Sequence, residues 1–169
     1  MRKLILSLAA VLAVPAFAGQ PMVSSGKTMA TPMVDKSCFD AGWTLSGFAA
    51  YLIPDSDASE TWGGGAQVDY FFGPYVGIAA SGTWSDVANL YYADLTLRAP
   101  MGIVAPYAIA GIGAGDVDGD WDLVARAGAG LDVRIWDCHG LFADWTYNWA
   151  DNEEIEDFQI VRFGLRFQL

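Results

Sequence analysis

The stretch LVARAGAGLDVRI, from Leu123 to Ile135, decides how the chain is read. Side chains on a β-strand alternate between faces, so parity assigns each residue to one side. The odd positions Leu123, Ala125, Ala127, Ala129, Leu131, Val133 and Ile135 are all apolar. The even positions include Arg126, Gly128, Gly130, Asp132 and Arg134. The end of the chain repeats the pattern, with Val161, Phe163, Leu165, Phe167 and Leu169 set against Arg162, Gly164, Arg166 and Gln168. An apolar exterior around a polar, charge-paired interior inverts the usual arrangement of a protein. It is the arrangement of a β-barrel that stands in a lipid bilayer.

Working outward, the first residues announce export. Arg2 and Lys3 precede the apolar run 4–17, and Ala16-Phe17-Ala18 offers a small-residue cleavage site before Gly19. Residues 1–18 read as a signal peptide; an uncleaved helical anchor is the alternative, for which the run is short. Residues 19–42 read as an aperiodic periplasmic lead-in, and 43–169 as the barrel. Cys38 lies too far past the cleavage site to be a lipid-modified N-terminal cysteine. The chain is 53% hydrophobic, yet no later run approaches the ~18 apolar residues of a membrane helix. Strands of ~10 alternating residues resolve that conflict. No lysine follows Lys36, which argues against an outward face that meets water.

About eight alternating runs can be marked, at 43–53, 62–72, 75–84, 89–99, 104–115, 121–135, 141–149 and 158–169. An even, up-and-down order closes a barrel and leaves no free edge in lipid. The first, third, fifth and seventh connections, with their flanks, hold Asp55, Asp57, Glu60, Asp86, Asp116, Asp118, Asp120, Asp122, Asp151, Glu153, Glu154, Glu156 and Asp157. They hold no lysine or arginine, and the opposite connections carry only Asp137. With the lead-in periplasmic, the acidic connections face outward. Tyr51, Trp62, Trp84, Tyr91, Trp121 and Trp149 form an expected outer aromatic girdle. Trp43, Phe72, Tyr107, Trp136, Phe163 and Phe167 form an expected inner one.

Parity places Asp69, Asp94, Arg98, Arg126, Asp132, Arg134, Asp144, Arg162 and Arg166 in the lumen. Eight strands leave room there only for side chains. A self-neutralising structural network is therefore expected, with a gated ion path as the sharper alternative. Cys38 and Cys138 both fall at the periplasmic end, where an oxidising compartment and an even count favour a disulfide; two separate thiols are the alternative. Asp116, Asp118 and Asp120 alternate as in calcium loops but lack a distal bidentate glutamate, so a solvated acidic turn is the plainer reading. Gly111-Ile112-Gly113-Ala114-Gly115 precedes no helix and is read as strand packing. The single histidine, His139, lies in a periplasmic turn, so no histidine-based triad can form at the outer rim. No enzyme and no cofactor are expected.

From Trp43 onward the chain resembles the small eight-stranded outer-membrane proteins, the OmpA/OmpX-like and porin-family barrels. The resemblance implies an all-β, eight-stranded antiparallel up-and-down transmembrane barrel. It is most specific at Arg162-Phe163-Gly164-Leu165-Arg166-Phe167-Gln168-Leu169. There Arg162, Gly164, Phe167 and Leu169 match the family's C-terminal insertion signal, although many members end in an aromatic residue. No periplasmic peptidoglycan-binding domain of the OmpA type is expected after Leu169. The implied partners are outer-membrane lipid, lipopolysaccharide and the barrel-assembly machinery, reached through the last strand. Divalent cations or host and cell-surface ligands could meet the acidic loops; no nucleic-acid partner is expected. A structural or surface-interaction role is expected, with a small-solute channel as the alternative. A secreted lipocalin-like barrel would turn the apolar face inward around a ligand.

Overall fold

The computed structural model describes residues 38–55, 59–117, 120–151 and 157–169. The proposed signal peptide and most of the lead-in, residues 1–37, lie outside the described residues. The rest forms eight strands: β1 Gly42–Pro54, β2 Thr61–Phe71, β3 Val76–Ser85, β4 Asn89–Arg98, β5 Val104–Val117, β6 Asp120–Trp136, β7 His139–Ala150 and β8 Phe158–Gln168. Each pairs antiparallel with its sequence neighbours, and β8 returns to β1 to close the barrel. At 10 to 17 residues, every strand reaches the roughly 9–11 that a tilted strand needs to cross a bilayer.

Parity along each strand holds as the sequence predicts. In β1, Thr44, Ser46, Phe48, Ala50 and Leu52 point inward and are buried. Between them Trp43, at 54% exposed, and Leu45, at 46%, point outward. Ile78, Leu95, Leu131, Phe163 and Leu165 are exposed in the same way. No helix among the described residues is long and apolar enough to cross a membrane. Closure is what makes this exterior compatible with lipid, because every strand's backbone groups find a neighbour.

Three expectations shift. Tyr107 is no girdle residue: it shares the inward face of Ala105 and Ile109 and is only 6% exposed. Phe163 packs its ring against Trp62 of the outer aromatic group. The acidic stretch 116–120 is no open loop, since β5 runs to Val117, which pairs with Asp120 at the start of β6. Asp118-Gly119, between them, is a pair favoured by two-residue hairpins and lies outside the described residues, as does the side chain of Asp120. Asp57, Glu153, Glu154 and Glu156 also lie outside them.

The opposite end turns tightly. Between β6 and β7 only Asp137 and Cys138 remain, with φ of 37° and 70°. Positive φ at both central residues is the backbone of the hairpin turn that matches strand twist.

Candidate functional site: the charged lumen

The candidate site is the barrel interior, and its wiring follows from which residues share a row across the strands. In one row Asp94 of β4 faces Gly111 of β5, which faces Arg126 of β6. Gly111 has no side chain, so Arg126 reaches across the intervening strand. Its Nε donates to Asp94 Oδ1 at 2.8 Å and its Nη2 to Oδ2 at 2.5 Å. A Cβ on Gly111 would stand 2.1 Å from Asp94 Oδ1. The same device operates in the row Tyr107, Gly130, Asp144, Arg162. Tyr107 passes over Gly130 and donates its hydroxyl to Asp144 Oδ2 at 2.6 Å. Arg162 holds the same carboxylate in a two-point fork at 2.8 and 2.9 Å. Lumenal glycines are the gaps through which long side chains cross.

The remaining predicted residues complete the interior. Arg162 Nη1 donates to Gln67 Oε1 at 3.1 Å, and Gln67 Nε2 donates to Asp69 Oδ1 at 2.7 Å. Asp132 accepts from Arg166 at 2.9 Å and from Arg134 at 3.0 Å. Arg126, Arg162 and Arg166 are among the largest fully buried side chains of the barrel. Each guanidinium also lies near an aromatic face: Arg126 at 3.7 Å from Tyr92, Arg166 at 4.6 Å from Phe142, and Arg162 at 5.0 Å from Phe48. Arg98 is the exception among the five. No carboxylate pairs with it among the described residues, and it donates to backbone carbonyls instead.

Several participants escaped the sequence reading. Tyr92 and Gln67 lie on the strand faces of Asp94 and Asp69, so parity alone could have flagged them, whereas Tyr107 shares its face on β5 with no charged residue of the network. Nothing in the sequence marked Phe39, which is fully buried although it precedes β1. An apolar layer was also missed. Leu52, Leu90, Val124, Phe158 and Ile160 are the part of the buried cluster that lies toward the acidic end, beyond the arginines, with buried Thr83, Thr146 and Asn148 paired beside them.

At the other end Cys38 and Cys138 are joined by a disulfide with their Cα atoms 4.7 Å apart. The insertion-signal residues divide by parity. Arg162 and Gly164 face the lumen, while Phe167 and Leu169 face out and Leu169 N–H donates to Trp43 O at 2.9 Å. Asp116 sits on β5 rather than in a loop, and no acidic or histidine group of metal-binding form occurs among the described residues. His139 starts β7, and its Nδ1 accepts from the Gln168 N–H at 3.3 Å.

Solved structures give the same architecture. Neisserial surface protein A matches with a TM-score of 0.64 at 15% identity, over 76% of this chain and 97% of that one. The N-terminal β-barrel domain of Pseudomonas aeruginosa OprF matches with a TM-score of 0.55 at 19% identity, over 75% and 99%. This chain has the fold of the small outer-membrane β-barrels. A de novo designed transmembrane β-barrel matches too, with a TM-score of 0.52 at 18% identity, over 75% and 95%. No family model matches the sequence, and neither does any curated protein. In that fold an exposed apolar wall, such as this one, is the face that meets lipid.

Proposed function

We propose that this outer-membrane barrel is a closed, non-catalytic anchor that presents acidic loops at the cell surface. Its role is structural or interactive: envelope integrity, adhesion, or contact with ions and polysaccharide. The observation that carries the reading is the filled lumen. Two-point Arg126–Asp94 and Arg162–Asp144 pairs cross the interior, and an apolar layer covers them toward the acidic end. An ion path needs continuous polar contact or water, and the buried leucine, isoleucine, valine and phenylalanine side chains beyond the salt bridges interrupt it. The non-catalytic part rests on His139, which is engaged at the disulfide end, remote from the acidic loops.

Charge placement supports the surface role. All five arginines after Lys36 lie inside the barrel, so its accessible charge is carboxylate. Such a surface attracts counter-ions and meets lipopolysaccharide phosphates through divalent cations rather than directly.

The test is conductance in planar bilayers. The purified barrel should give no stable open-channel steps at modest voltage. Reproducible steps that disappear when Arg126 or Arg162 is changed would replace the anchor with a channel.

A further inference from the structure

At the disulfide end, residues 38–40 fold into the barrel mouth ahead of β1. Phe39 is fully buried between two cations, its ring 5.2 Å from the Arg98 guanidinium and 5.3 Å from that of Arg134. Arg98 Nη2 donates to Phe39 O at 2.8 Å and to Asp40 O at 3.3 Å. Its other acceptors are Pro74 O at 2.7 Å and Gly73 O at 3.4 Å, in the turn between β2 and β3. Its plane also covers Phe71 at 3.5 Å.

Arg98 is thus a buried cation satisfied only by carbonyls and ring faces, half of them supplied by residues 38–40. Arg98, Arg134 and Arg166 gather at the mouth. Asp132 is shared between the latter two and Asp69, the next carboxylate inward, accepts from Gln67 and Thr44, so neither carboxylate is hydrogen-bonded to Arg98.

The disulfide holds this segment down. It joins residue 38 to the turn at residue 138 across a separation of 100 residues. That turn keeps two non-glycine residues at positive φ, a backbone state that L side chains rarely adopt. Arg134 Nη1 further clamps the turn by donating to Cys138 O at 2.5 Å. Both cysteines are only partly buried, so a reductant can reach them.

We propose that residues 38–40 are a disulfide-latched stopper over a latent oxyanion site built on Arg98. Release is a thiol–disulfide exchange with a dithiol. One thiolate of the dithiol attacks the Sγ of Cys38 or Cys138, the S–S bond breaks, and the departing sulfur takes a proton. The second thiol resolves the mixed disulfide. This chain gains two electrons and two protons as two thiols, and the dithiol becomes a disulfide. With Phe39 withdrawn, Arg98 loses two carbonyl acceptors and one ring face but keeps Gly73, Pro74 and Phe71. Its freed fork then faces the opening, with the geometry that binds phosphate or carboxylate. The inference concerns the mouth alone and stands whether or not the outer loops bind a partner.

The test uses the full barrel in micelles, with inorganic phosphate as the probe. Hydrogen exchange at residues 38–41 reports the stopper, and a phosphate titration followed by NMR reports the site. In the oxidised protein the segment should be protected and phosphate should not bind. Reduction should remove protection at 38–41, leave the strands protected, and allow phosphate to bind. Phe39→Ala should admit phosphate with the disulfide intact, and adding Arg98→Gln should abolish that binding. If Arg98→Gln fails to fold, reduction and Phe39→Ala still decide the matter. Unchanged protection after reduction refutes the latch. Equal phosphate binding before and after reduction refutes the stopper. Released segments without phosphate binding refute the oxyanion site.

Discussion

Replacing Asp144 with alanine tests whether the lumen is dry. Its carboxylate takes both bonds of the Arg162 fork and the Tyr107 hydroxyl. Removal leaves a fully buried guanidinium with Gln67 as its one remaining hydrogen-bond acceptor. Breaking a buried ion pair by deleting one partner costs about 3–5 kcal/mol. The stranded Tyr107 hydroxyl adds ~1–3 kcal/mol. Substituting Arg162→Met together with Asp144→Ala removes the orphaned charge. The double variant should therefore recover about 3 kcal/mol or more of the loss predicted from the two single changes. Urea unfolding in micelles, followed by tryptophan fluorescence, measures all four corners of the cycle. A cost below about 1 kcal/mol for Asp144→Ala would mean that water reaches the freed guanidinium. That result would refute the closed lumen and, with it, the main support for the anchor reading.

Gly111→Ala should destabilise the barrel as its Cβ displaces the Asp94 carboxylate, and circular dichroism melting should show a lowered Tm while Ala110→Gly on the lipid face shows a much smaller change. Replacing Cys38 and Cys138 with serine should lower Tm without preventing membrane insertion; closing so long a loop stabilises by up to ~4–5 kcal/mol. Deleting residues 167–169 should do the reverse and block accumulation of a heat-modifiable barrel in cell fractions, because it removes ladder bonds by which β8 closes on β1. Asp55 accepts from Tyr147 at 2.6 Å and from Gln159 at 3.2 Å, and these bonds hold its carboxyl below the ordinary value of 3.8. Its contribution is complete above the unfolded-state value and disappears as pH falls through the lower folded-state value. The Tm gap between the native protein and Asp55→Asn should therefore close as pH falls through that lowered value; a gap that persists once the carboxyl is fully protonated counts against these bonds.

Period-two alternation is a local property, so the sequence by itself determined the strands, their lipid-facing and lumenal faces, and which charges are enclosed. Closure followed because an unpaired edge cannot stand in hydrocarbon. Arg126, Asp132 and Arg134 could be assigned to the interior from the LVARAGAGLDVRI run alone. Partner choice could not, because it depends on the stagger between strands that are far apart in the chain. Only the closed barrel aligned Asp94, Gly111 and Arg126 in one row and carried Tyr107 over Gly130 to Asp144. The same stagger brought Cys38 beside Cys138 and gave Phe39, outside any strand and any periodicity, a place between two arginines. Alternation assigns a side chain to a face; the register of the closed sheet assigns it a neighbour.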